Sequence, residues 1–243
     1  MSTKKITYFQ PASRELDEVV SKIEETYTPR IKEGDILSIT VSSLSKEANE
    51  MFNPVTQILN YTTQTVGTIA PHPVLGYTVD AAGNISLPML GAVQVKGLTS
   101  KELSLKLTAQ LQQYLESPTV VVRIANYTVS VLGEVARPAM YTIPNEQITL
   151  PEALALAGDL TIYGKRKNIL VIREVDGTRQ FARVDITGRD LFNSPFYCLR
   201  SGDVIYVEAT SGKLTATDRT YQLAPIIINS LTLGVLILTT FLK

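Results

Sequence analysis

Apolar and polar positions along the chain fall into two rhythms, and the points where one replaces the other outline its organisation. After Gly34 and Asp35, which make a turn, Ile36, Leu37, Ile39 and Val41 form a β-rich run that predicts a strand. Residues 75–90 hold two short β-type runs about Ala81, Ala82, Gly83 and Asn84, the grammar of a hairpin. After Gly97 the period becomes helical. Leu103, Leu107, Leu111 and Leu115 lay one apolar ridge along a helix that starts at a capping box, Thr99 with Glu102, and stops before Pro118. Residues 119–125 (TVVVRIA) are apolar enough for a strand buried on both faces.

The same devices then recur. From Tyr127 two further strands are joined through Gly133 to Pro138, and Thr149 with Glu152 repeats the capping-box spacing ahead of a helix that Gly158 ends. Residues 168–175 and 179–186 flank Asp176-Gly177, a strong hairpin signal. Residues 199–209 (LRSGDVIYVEA) echo residues 30–40 (RIKEGDILSIT): a basic residue, Gly-Asp, then β-branched residues. The fold class this predicts is α+β, two small mixed domains followed by a C-terminal transmembrane helix. The expected boundaries are an arm over 1–26, domains over 27–125 and 126–209, a Thr/Ser/Gly/Lys linker over 210–222, and the helix over 223–243. Residues 14–27 are acidic and loosely periodic, and 45–73 are polar and aperiodic, the pattern of a long loop.

The stretch 223–242 contains no charged residue and as a helix reaches about 30 Å, the thickness of a bilayer core. Its gross insertion preference is about −5 kcal/mol, before polar positions subtract from it. At 100° per residue, Asn229, Thr232, Leu236, Thr239, Thr240 and Lys243 share one sector, while Ile227, Leu231, Gly234, Leu238, Phe241 and Leu242 lie opposite. A ring of such helices would turn Asn229, Thr232, Leu236, Thr239 and Thr240, as pore-lining residues, toward a wet lumen and Ile227, Leu231, Leu238, Phe241 and Leu242 toward lipid. Hydroxyls bonded to their own helix carbonyls, with Asn229 at the membrane interface, explain the stripe equally well. The opening MSTKKITYFQPAS has no apolar core after its lysines, so no signal peptide is expected in it.

Composition narrows the chemistry. Twenty-three basic residues balance 23 acidic ones, so no global field holds nucleic acid. One cysteine, Cys198, and one histidine, His72, supply neither a disulfide nor a zinc site unaided. His72, between Pro71 and Pro73, is expected to be a solvated imidazole, and Cys198 a small buried hydrophobe. Residues 164–167 (GKRK) lack the glycine and Ser/Thr of a phosphate loop and predict a basic turn, suited at most to an acidic sugar or an acidic neighbouring subunit. Gly34-Asp35 and Gly202-Asp203 predict turns in which Asp bonds the chain two residues on, rather than a catalytic carboxylate pair. No catalytic residue, cofactor or metal is expected.

Residues 27–41 and 76–103, followed by 129–168 and 199–208, carry a resemblance to the outer-membrane polysaccharide export proteins, in which a polysaccharide export domain precedes a β-grasp domain of the soluble-ligand-binding (SLBB) type. The resemblance implies a homo-oligomeric ring in the periplasm whose C-terminal helices cross the outer membrane and pass capsular or extracellular polysaccharide. It also implies an inner-membrane co-polymerase partner, often a tyrosine autokinase, and no enzymatic activity. Members are usually lipoproteins; this chain shows no lipobox, and a removed leader with Met1 in place of the lipidated cysteine is the economical expectation. Members also differ in carrying one or two β-grasp domains, and one is expected here. The alternative is a tail-anchored periplasmic β-grasp protein that binds a ligand and forms no pore.

Overall fold

The computed structural model describes residues 7–10, 27–45, 49, 52–53, 76–175, 177–213 and 232. The terminal stretch 223–243, apart from Thr232, lies outside them, as do His72 and residues 14–26.

In the first domain β1 (Ile36–Ser42) is the centre of an antiparallel sheet, flanked by β2 (Tyr77–Thr78) and β5 (Thr119–Ile124). β3 (Asn84–Leu87) pairs with β4 (Gly91–Gln94) in a separate hairpin. The turn expected at 81–84 is present, closed by the Gly83 amide on the Asp80 carbonyl at 2.9 Å, but the two runs it joins do not pair with each other. β2 adds to β1 instead, because its two residues satisfy an open edge there. Helix α1 (Ser100–Leu111) packs against β5, and both halves of the predicted capping box between Thr99 and Glu102 form. Leu103, Leu107 and Leu111 are fully buried, each contributing about 1.5–3 kcal/mol. β5 is covered on one face only: Val120, Val122 and Ile124 are buried while Thr119, Val121 and Arg123 are exposed, which corrects the two-sided expectation. An antiparallel sheet with one helix layer leaves its other face to solvent.

The second domain is built on a five-stranded mixed sheet. β6 (Thr128–Gly133) and β7 (Ala139–Thr142) form the first hairpin; β9 (Gly164–Val175) and β10 (Thr178–Val184) form the second. β12 (Val204–Ala209) enters between them, parallel to β6 and antiparallel to β9. Helix α2 (Leu150–Leu156) follows β8 (Ile148–Thr149), which pairs with β11 (Cys198–Leu199), and its Thr149/Glu152 capping box is complete. Gly158 adopts φ +76° just past its end, the left-handed stop that glycine permits. Residues 164–167 open β9 rather than forming a turn: Lys165 pairs with Glu208 at 3.0 Å, and buried Arg166 donates to the Gly164 carbonyl at 3.2 Å. Cys198 is half-buried rather than buried, since β11 lies at the edge of a small crevice.

Two segments that pattern alone marked as irregular are tied to the body. Asn49 and Phe52 are helical; Phe52 is 1% exposed within the core, and the Asn53 side chain bonds the Val41 amide and carbonyl at 2.9 and 2.7 Å. Near the N-terminus, the Phe9 and Gln10 amides donate to the Ile186 and Thr187 carbonyls, so residues 7–10 form a strap across the second domain. The Tyr8 hydroxyl donates to Asp159 at 2.6 Å, and the Phe9 ring packs against Phe192 at 5.4 Å.

The domains share one hydrophobic core that runs without interruption from Ile31 to Val207. Polar bonds close the seam above it. The Glu146 carboxylate accepts from the Ser100 hydroxyl at 2.8 Å and the Ile124 amide at 2.6 Å, and Asn126 bonds both the Ile36 amide and the Gly34 carbonyl.

Candidate functional site

Of the predicted pore-lining residues Asn229, Thr232, Leu236, Thr239 and Thr240, only Thr232 is described, in helical conformation; the lipid-facing set lies outside the described residues. Among the described residues no helix is long and apolar enough to cross a membrane, and no group of three His, Cys, Asp or Glu is placed to hold a metal ion. The site the described residues do build lies at the seam between the domains.

It begins with two turns of the same design. Lys32 to Asp35 and Arg200 to Asp203 each close with the Asp amide on the carbonyl of the basic residue, at 3.2 and 3.0 Å. Gly34 and Gly202 sit at φ +81° and +91°, where a β-carbon would be strained. In both turns the Asp carboxylate accepts the backbone N–H of the basic residue three positions earlier, at 2.8 Å, which replaces the expected bond two residues on. This folds each carboxylate inward, to 3% exposure for Asp35 and 1% for Asp203, and burial raises the Asp35 pKa.

Asp203 carries a second duty that no spacing signalled. Arg173 on β9 meets it with a bidentate pair, 3.0 Å from Nε and 2.7 Å from Nη2, and spends its remaining donors on the Pro195 and Cys198 carbonyls. Both ions are almost fully buried, so removing one partner would leave an uncompensated charge at a cost of about 3–5 kcal/mol. The only sequence clue was an arginine that breaks the apolar run of residues 169–175 at an inward position.

With the carboxylates turned inward, the basic side chains turn out. Lys32 and Arg200 both line a crevice of about 220 Å³ that also takes in Tyr27, Arg30, Asp35 and Ser201. The Arg200 guanidinium lies 4.7 Å from the Tyr27 ring centroid, a cation–π contact. Neither the Lys32 ammonium nor the Arg200 guanidinium has a hydrogen bond or ion pair among the described residues. Arg30 contacts Glu102 at 3.7 Å and the Gly97 carbonyl at 2.7 Å; Glu174, also in the lining, is held by Arg179. On the other side of Tyr27 a second crevice, about 250 Å³, is lined by Asn145, Gln147, Glu152 and Cys198.

A further polar node lies where the chain leaves the second domain. The Glu134 carboxylate accepts from Thr161 at 2.8 Å and pairs with Lys213, and these bonds hold it below the usual carboxylate range.

Such a chain, an export-type α+β domain welded to a β-grasp domain, matches two protein-family models in the same order. Residues 23–125 match the polysaccharide biosynthesis/export protein family and residues 128–180 the SLBB domain. The chain belongs to the polysaccharide export family. It is 30% identical over 200 residues to the EPS I polysaccharide export outer membrane protein EpsA of Ralstonia solanacearum, covering 80% of this chain and 50% of that one. The protein of that name from Ralstonia nicotianae is 29% identical over 202 residues, covering 81% and 51% respectively. The chain thus spans about half the length of these relatives.

Proposed function

We propose that the protein is a non-enzymatic, oligomeric outer-membrane translocon that exports capsular or extracellular polysaccharide through a pore of C-terminal helices. The observation that carries this is the ordered pair of export and SLBB domains, shared with relatives named polysaccharide export outer membrane proteins. The bulk of the chain stands in the periplasm, held by the terminal helix and, in the native form, by a lipid anchor. An inner-membrane co-polymerase delivers the polymer.

Two features support assembly into a ring. The outer face of the five-stranded sheet carries Phe181 and Met140, 64% and 70% exposed, with the exposed Leu132 and Tyr206 on the strands between them, an apolar face of the kind that marks a protein contact. Read as a helix, the sequence of residues 223–243 gathers its polar positions on one side, which suits a lumen that binds sugar weakly enough to let it move on. Hydroxyl and amide groups exchange bonds between water and sugar at little net cost.

The test is complementation of an export-deficient strain. Asn229→Leu with Thr232→Leu is expected to abolish surface polysaccharide while the detergent-extracted particle keeps its size. Unaltered export would remove the inward polar stripe, and a strictly monomeric particle would favour the tail-anchored alternative.

A further inference from the structure

The geometry points to the seam crevice as a binding site for a carboxylate-bearing sugar unit, held between Lys32 and Arg200 against the Tyr27 ring. This deepens the export reading and rests on it for the identity of the polymer. An Asp three residues after a basic residue would ordinarily neutralise it, but here both carboxylates are committed to backbone amides inside the protein, and Asp203 also to Arg173. One cation from each domain is left facing the same concavity with no hydrogen bond or ion pair from its charged end among the described residues, Arg200 being held only by its cation–π contact with Tyr27.

The remaining lining fits a sugar better than a peptide. At about 220 Å³ the crevice is smaller than the roughly 300–1,000 Å³ of sites that enclose drug-sized ligands, so it suits a single ring. Arg200 presents a planar fork that meets a carboxylate with two parallel bonds, and Lys32 adds a point charge. The half-buried Tyr27 ring, already fixed by Arg200, offers an apolar edge for the C–H face of a pyranose, and Ser201 adds a hydroxyl. Of the two acidic groups in the lining, Glu174 is neutralised by Arg179 and Asp35 is turned inward, so the concave surface keeps a net positive field. Arg30 lies at its rim and is partly used by Glu102.

Calorimetric titration of the purified full chain with tetragalacturonate and with maltotetraose tests this. Tetragalacturonate is expected to bind at least tenfold more tightly than the neutral chain, with an affinity that falls as salt rises from about 20 to 200 mM. Lys32→Gln and Arg200→Gln are each expected to weaken it at least fivefold, the pair to erase the preference, and Lys101→Gln on the exposed face of α1 to change nothing. Equal affinity for both saccharides, or binding unaffected by either substitution, overturns the assignment. Thermal melts of the two variants show whether a loss is instead one of folding: a variant that melts as wild type yet loses binding supports the site, and restoration of binding by Lys32→Arg supports a charge contact over a packing one. Export is scored separately by complementation. A chain that exports polymer but does not discriminate between the saccharides loses only the crevice; one that discriminates but does not export loses the translocon reading.

Discussion

At the scale of single residues, the fold repeatedly uses one side chain to hold two parts of the chain. Glu146 ties the start of α1 to β5, Asp203 serves both its own turn and Arg173, and Tyr8 fastens the strap. Burial, reinforced by the hydrogen bond to Asp159, pushes the Tyr8 pKa up to about 12, while a free tyrosine titrates near 10. A raised value means that the folded state holds the proton more tightly than the unfolded state. The stability Tyr8 adds is therefore complete below about pH 10 and is lost as pH rises toward 12. Urea unfolding of wild type and Tyr8→Phe should show a gap that is constant at neutral pH and closes between those limits; a gap that persisted above pH 12 would deny the hydroxyl its role.

Among the elements, the helices were the most legible and the sheets the least. Both capping boxes could be placed by residue number from spacing alone, since a Thr and a Glu three apart are read by the backbone locally. Thr99→Ala is expected to cost about 1 kcal/mol, and Thr149→Ala a similar amount, both measurable as lower urea midpoints with unchanged slope. The leucine ridge of α1 was equally plain, because 3.6-residue periodicity is a property of the helix itself. Strand partners are not local. Residues 77–78 carry a β signal, but nothing in them states that they add to β1 rather than pair across the turn at 81–84. In the same way residues 164–167, basic and after a glycine, read as a turn until β9 extended through them, because the pairing partner that draws them into a strand, Ala209 opposite Gly164, lies far along the chain. Phe52 sits in a polar, aperiodic stretch and still reaches the core, where one large side chain, its segment anchored by Asn49 on the Ser43 backbone and Asn53 on that of Val41, leaves no repeating pattern.

Across the whole molecule, one continuous core runs through both domains, and the seam crevice lies over it. The apolar outer face of the second-domain sheet belongs to this scale as well. Register places Phe181 opposite Ile172, Ile172 opposite Val204, and Met140 opposite Ser130, so one row crosses the sheet from β10 to β7. In the proposed ring this face is covered by a neighbouring copy. Phe181→Ser together with Met140→Ser should lower the sedimentation coefficient of the detergent-solubilised particle while leaving the melt of the monomer body near wild type, since both residues are more than half exposed. An unchanged particle would place the contact elsewhere.

The sequence by itself determined the order of the two domains, the capped helices, the hairpin at 177, and the family, because each rests on short-range stereochemistry or on an ordered string of motifs. Length and composition are likewise all that stand behind the expectation of a membrane-crossing helix over 223–242, a stretch that apart from Thr232 lies outside the described residues. Only the tertiary structure decided that the two basic-x-Gly-Asp turns, 168 positions apart as Asp35 and Asp203, converge on one crevice with their carboxylates turned in and their cations turned out. The reason is that a side chain's direction in a turn is set by what the surrounding core leaves room for, and that core is assembled from strands whose partners lie far apart along the chain.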